Sequence, residues 1–191
     1  IGPVAREIGN YIALIFKTLM LTPGLKYLGG FAFGLLYAPL VVTGLHHTFL
    51  AVDFQLIADP ALQGTMIWPM IALSNIAQSG AVAATYFIYK KDKKQESLSA
   101  SATISAWLGV TEPAMFGANL KYMYPFVAAI TASAVAGLIS ISFGVLAGGV
   151  GIGGLPAILA IKAEYWPGYI LAMAVALFGS FFLTFAFKKI Y

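Results

Sequence analysis

One carboxylate stands apart from every other charge in this chain. Glu112 lies in the run Trp107-Leu108-Gly109-Val110-Thr111-Glu112-Pro113, and no other charged residue falls between Glu96 and Lys121. An ionised side chain in hydrocarbon surroundings costs at least about 2.5–3.5 kcal/mol on insertion scales, so such a residue is expected to face a polar cavity and to work there. Pro113 removes a backbone donor and Gly109 loosens the preceding turn, which leaves amides and carbonyls around Thr111 free to meet a solute. The structural alternative is a pairing of Glu112 with Lys121 or with a histidine at a helix end. His46-His47 form the second group, two residues after Gly44. Neighbours on a regular helix point about 100° apart, so both reach one solute only where the helix is broken, and Gly44 supplies a break. Histidine both donates and accepts and titrates near neutral pH, which suits a sugar hydroxyl or, equally, a carbonyl inside the bend.

Asp53 suits two roles, acceptor for a solute hydroxyl or cap of the second arm of a hairpin. Asn75 and Gln78 are three apart on one helix face with Ser74 and Ser79, a pattern that serves substrate contact or interhelical hydrogen bonding. Adjacent histidines offer a poor bite for a single ion, so His46, His47, Asp53 and Glu112 are not expected to hold a metal, and no cofactor is expected. Trp107 is either a packing residue or a stacking surface for a sugar ring.

The elements that must carry these residues are membrane helices. Of 191 residues, 60% are hydrophobic and only 9% charged, with mean hydropathy +0.88. Soluble domains carry about a quarter charged residues, so lipid is the solvent. The net charge of +4 comes from basic residues at the ends of apolar runs, the positive-inside arrangement and not a nucleic-acid surface. There is no cysteine, hence no disulfide and no thiolate within this sequence. Residues 1–24 are expected to form an amphipathic linking helix in the membrane interface, ended by Pro23-Gly24. Residues 25–191 are expected to form one transport unit, with spans at about 27–43, 66–89, 124–146 and 166–187. Between them, residues of about 44–60 and 97–120 are too polar to cross and too apolar for solvated loops. They predict two re-entrant hairpins, in an all-α membrane protein. With Lys90–Lys94 in the cytoplasm, Lys26 and Lys188-Lys189 also fall inside and the glycine run 148–154 outside. Lys90–Lys94 read as a solvated loop that sets orientation, or as a face for a cytoplasmic partner domain. The glycine run lacks the Lys-Ser/Thr ending of a phosphate loop. The opening on Ile1 leads us to expect the C-terminal portion of a larger permease.

Gly44-Leu45-His46-His47, followed downstream by Gly109-Val110-Thr111-Glu112-Pro113-Ala114, resembles the membrane C component of sugar permeases of the bacterial phosphotransferase system, glucose superfamily. The stretches Leu45–Ile57 and Trp68–Gln78 are similar to trehalose-specific members in particular, with the sucrose relatives as near neighbours. The resemblance runs from about Gly34 onward. It implies the sugar-binding half of an elevator-type permease of the bacterial inner membrane, working as a homodimer through an N-terminal half not present here. It further implies a disaccharide substrate, trehalose, phosphorylated at its 6-hydroxyl by a partner B domain bearing phosphocysteine, fed by an upstream A domain and a phosphocarrier protein. The acidic-proline Glu112 would act on the 6-hydroxyl, and His46 or His47 would hold sugar hydroxyls, with Thr111, Asp53, Asn75 and Gln78 as further contacts. A different class of function also fits the residues, a proton-coupled transporter that uses Glu112 as proton carrier and accumulates free sugar. A sugar-gated receptor is a third reading.

Overall fold

The computed structural model describes the backbone of residues 2–190 and the side chains of residue 4 and residues 7–190. Among these residues the chain is helical, joined by short turns and one long loop, with isolated β-bridges and no strand. Helix α1 is Gly2–Leu21 and α2 is Lys26–Val42. They run antiparallel, so that Phe16 meets Phe33 edge-on at 5.2 Å and Phe33 meets Phe49 at 5.0 Å. Phe16 and Met20 thereby bury the apolar stripe of α1 lengthwise along α2. A 3₁₀ turn, Leu45–Thr48, leads into α3, Phe49–Ala58.

Helix α4, Ile67–Ile88, is the spine. Its first turn is capped from outside. Asp53 Oδ1 accepts from the Thr65 hydroxyl at 2.6 Å and from the Trp68 backbone N–H at 3.0 Å, while Thr65 Oγ1 accepts from the Ile67 N–H at 3.0 Å. Donors that a helix start leaves orphaned are thus satisfied inside protein. Helix α5, Lys93–Trp107, begins four residues before the first arm expected from composition. Asp92 Oδ1 accepts from the N–H groups of Lys94 and Gln95 at 3.1 and 3.2 Å, so the lysine cluster is half loop and half first helical turn. Lys93 donates to Glu96 at 2.7 Å, and that bond holds its ammonium pKa above the ordinary value.

Helix α6 starts at Glu112–Ala114, passes through a π-turn at Met115–Asn119 and ends with Leu120–Tyr122. Met123, at φ +60°, separates it from α7, Tyr124–Ser142. The long loop that follows is pinned by bridges joining Thr65, Ala147 and Ile161. Helix α8 runs through Trp166–Ala174, a π-turn at Val175–Gly179 and Ser180–Lys188.

Among the described residues, three helical stretches, Ile67–Ile88, Tyr124–Ser142 and Ala163–Lys188, are long and apolar enough to cross a membrane. The pair Lys26–Val42 and Leu45–Ala58 passes the same test together but is bent by 120°. The expected span at 124–146 stops at Ser142, and the chain beyond it turns away to pair Ala147 with Thr65. Burial ranks the spans: 72% of the most apolar window of α4 is enclosed by the chain, against 22% for the last span.

Close approach requires small residues. A Cβ on Gly34 would collide with the Ser133 carbonyl and lie 2.9 Å from Ala134 Cα, so α2 and α7 cross nearly backbone to backbone. Gly34→Val is therefore expected to destabilise the protein by about 1–3 kcal/mol through overpacking. Thermal unfolding in detergent measures this, and an unchanged midpoint would mean the two helices are not tightly apposed.

Candidate sugar-binding site

The two chain breaks expected from sequence are both present as sharp local turns. Thr43 closes α2 by donating its backbone N–H to Pro39 O, and Gly44 follows at φ +76°. The next turn carries His46 and His47 at its tip, closed by Thr48 Oγ1 donating to Leu45 O at 2.8 Å. The same hydroxyl lies 3.3 Å from Gly9 O, which ties the tip to α1. The imidazole centroids lie 3.9 Å apart with the ring planes tilted by 37°, so the break does what a regular helix could not and puts adjacent histidines side by side. His46 is half-buried, with Tyr37 edge-on at 6.2 Å, and its Nδ1 is buried without a hydrogen-bond partner among the described residues. His47 is exposed.

The second break follows Trp107. The N–H groups of Gly109 and Val110 fold back onto Ala106 O and Ser105 O, each at 3.0 Å, and Ser105 Oγ donates to Val110 O at 3.0 Å. Thr111 is buried, and Glu112 opens α6 with Pro113 in its first turn. The chain then returns along α5: Lys121 Nζ and Tyr122 OH donate to Gln95 Oε1 at 2.8 and 3.1 Å, joining the far end of α6 to the start of α5. Lys121 is thus engaged elsewhere, and Lys93–Glu96 is the ion pair found among the described residues. Glu112 is exposed and has no counter-ion among the described residues.

The glycine run turns out to pack on this second tip. Gly154 sits at φ +66° and ψ −148°, a conformation reserved for glycine, and a Cβ there would strike the Trp107 carbonyl. A Cβ on Gly109 would lie 2.8 Å from the Gly153 backbone. Asn75 reaches the same junction, its Nδ2 lying 3.5 Å from Gly109 O. Asn75 therefore meets the hairpin turn from α4, while Gln78, one turn further, is buried and accepts from Asn119 Nδ2 at 2.7 Å.

Glu112 lies within electrostatic reach of both His46 and Tyr37. Asp53 and Gln78 lie inside the protein as helix-positioning groups, although Asp53 Oδ2 and Gln78 Nε2 keep unused hydrogen-bonding capacity. Tyr37 and Asn119 carried no sequence signal, being one aromatic among many and one amide in an apolar run. No three His, Asp or Glu side chains converge at metal-binding spacing among the described residues.

Residues 1–133 match the family described as Phosphotransferase system, EIIC. The chain belongs to that family. It is 48% identical over 189 residues to the PTS system trehalose-specific EIIBC component of Bacillus subtilis (strain 168), covering 99% of this chain and 39% of that protein. It is 49% identical over 184 residues to the trehalose-specific EIIBC component of Escherichia coli (strain K12), covering 96% and 38%. A sucrose-specific EIIBC component of Vibrio alginolyticus is 42% identical over 185 residues, covering 96% and 38%. The EIIC chain thus spans about two-fifths of the length of these curated relatives. No solved structure matches it.

The two carboxylates of this EIIC chain should separate in a stability measurement. Asp53→Ala strands the Thr65 and Trp68 donors inside protein and is expected to cost about 1–3 kcal/mol. Glu112→Ala removes an exposed group that pairs with no cation among the described residues, and is expected to stay within about 0.5 kcal/mol. Equal shifts of the unfolding midpoint in detergent would refute this division of roles.

Proposed function

We propose that this chain is the sugar-binding membrane part of a phosphotransferase-system permease that imports trehalose and presents its 6-hydroxyl to a phosphocysteine-bearing B domain. The observation that supports the reading is the pair of broken helices, one tipped by His46 and His47, the other by Glu112, which lies within electrostatic reach of His46 and meets no counter-ion among the described residues. The substrate follows from the two relatives nearly half identical to this chain, both named trehalose-specific EIIBC components, whose names join a B part to the C part.

In this reading both hairpins are re-entrant. Gln95 links the two ends of the second one, which fits a segment leaving the membrane on the side it entered. The lysines at 26, 90, 91, 93, 94, 188 and 189 face the cytoplasm of a bacterial inner membrane, in the positive-inside sense. Residues 25–191 move as the transport unit, elevator-fashion, and residues 1–24 link it to sequence outside this chain, where dimerisation also resides. Phosphate reaches the B domain from an A domain and a phosphocarrier protein.

The chemistry asked of this chain is modest. Trehalose lies between the tips, and a neutral sugar is selected by hydrogen bonds that a wrong stereoisomer leaves unpaired. Thr111 and Asn75 border the tip that holds Glu112, and the free Nδ1 of His46 offers a buried partner for one hydroxyl. The Glu112 carboxylate accepts the 6-hydroxyl proton as that oxygen bonds to phosphorus. The phosphorus–sulfur bond breaks, and the electron pair leaves on the B-domain thiolate. Positioning and general-base catalysis together are worth several powers of ten.

Glu112→Gln keeps a hydrogen-bonding group of the same shape and loses the base. We expect sugar-phosphate formation in vesicles supplied with the phosphoryl donors to fall roughly 10²–10⁴-fold, with trehalose affinity by calorimetry much less affected. Undiminished phosphorylation would remove the base role, and accumulation of free sugar driven by a proton gradient would replace the reading altogether. His46→Ala and His47→Ala, measured singly by the same calorimetry, identify which imidazole grips the sugar. If neither weakens binding, the histidine tip is not part of the site.

A further inference from the structure

A groove of about 520 Å³ opens between α4, α5 and α8, well apart from the histidines. Its walls include Ala83, Tyr86, Phe87, Trp107, Phe178 and Phe182, and almost nothing polar reaches it. Three of its aromatics are largely bare: Phe87 is 57% exposed, Phe178 56% and Phe182 64%. In water such a surface would be a liability, but α8 is the span least covered by its own chain.

The groove has a direction. α4 and α8 run side by side toward one membrane face, as the Phe87–Phe181 contact at 5.9 Å and the Lys188 Nζ placement 5.7 Å above the Tyr89 ring require. From Phe178 to Lys188 is ten residues of helix, about 15 Å, or half the hydrocarbon thickness of a bilayer. The apolar slot therefore occupies one leaflet and ends where that leaflet's headgroups begin.

That end is strongly basic. Lys90, Lys91, Lys93, Lys94, Lys188 and Lys189 cluster there against Asp92 and Glu96, six lysines to two carboxylates. Asp92 is committed to capping α5 and Glu96 to Lys93. The remaining five lysines meet no carboxylate among the described residues. A hydrophobic slot one leaflet deep, closed at its polar end by uncompensated ammonium groups, is complementary to one kind of molecule. We propose that it binds an anionic glycerophospholipid, with an acyl chain between α4, α5 and α8 and the phosphate on the lysines. The groove follows α5 as far as Trp107, five residues before Glu112, and so touches the hairpin that carries Glu112. Lipid occupancy braces that arm without entering the sugar site.

The test is photocrosslinking in vesicles of phosphatidylcholine doped with a phosphatidylglycerol carrying a photoactivatable acyl chain, against the same probe on a phosphatidylcholine headgroup. Adducts mapped to Phe178, Phe182 or Trp107, favoured by the anionic headgroup, are the expected result. Lys188→Gln with Lys189→Gln, both on the exposed helix end, should cut that preference roughly five-fold per lysine, whereas Ala83→Phe should block the adducts by filling the slot. Equal labelling by both headgroups would overturn the proposal. So would the absence of groove adducts with either probe, which would mean that protein and not lipid covers this face.

Discussion

Backbone that leaves a helix inside a membrane must find its hydrogen-bond partners in protein, because lipid offers none. In the proposed reading, everything distinctive about this chain follows from two places where that condition is met. At the first, the Gly44 turn is closed by Thr43, Thr48 and the neighbouring α1. At the second, the turn after Trp107 folds its amides back on α5 and is covered by the glycine loop and Asn75. The groups proposed to face the ligand are by-products of that solution. Broken helices expose side chains at their tips that an intact span would scatter around its circumference.

Precision at the tips is inherited from packing further away. α4 supplies the frame, and its own start depends on the buried Asp53–Thr65 pair. Gln78 and Asn119 join the frame to α6 across 41 positions of sequence, at the π-turn where α6 departs from regular geometry. Contacts at Gly34 and Gly80 let α2, α7 and α8 close on this frame without intervening side chains. A hairpin held at its far end by Lys121 and Tyr122 on Gln95, and at its near end by glycine backbone, leaves Glu112 little freedom despite its exposure.

Much of this was legible in the residues alone. Four apolar stretches lie within a few positions of the helices, and the breaks fall at Gly44 and around Gly109, where glycine and proline predicted them. The failures share one cause, that the decisive partner is distant in sequence. Asp92 looked like one more charge in a lysine cluster until its carboxylate was seen capping α5. Asp53, read as a sugar contact or a hairpin cap, spends its Oδ1 on the start of α4 at Trp68, 15 positions away, and its Oδ2 has no partner among the described residues. The glycine run matched no phosphate motif, and its use, backbone approach to Trp107 and Gly109, is visible only when the loop is folded against that turn. Tyr37 and Asn119 were hidden by composition: neither type nor spacing distinguishes them from their apolar surroundings.

The claim on which the account rests is that sugar lies between the two tips. This sequence contains no cysteine, so single cysteines can be placed at Thr43 and at Val110, exposed positions flanking the histidine and glutamate tips. The rate at which a membrane-impermeant maleimide labels each, with and without saturating trehalose, is the direct measurement. Protection at both positions by trehalose, and not by a sugar alcohol of similar size, is the predicted result. Labelling that trehalose leaves unchanged at both would contradict it.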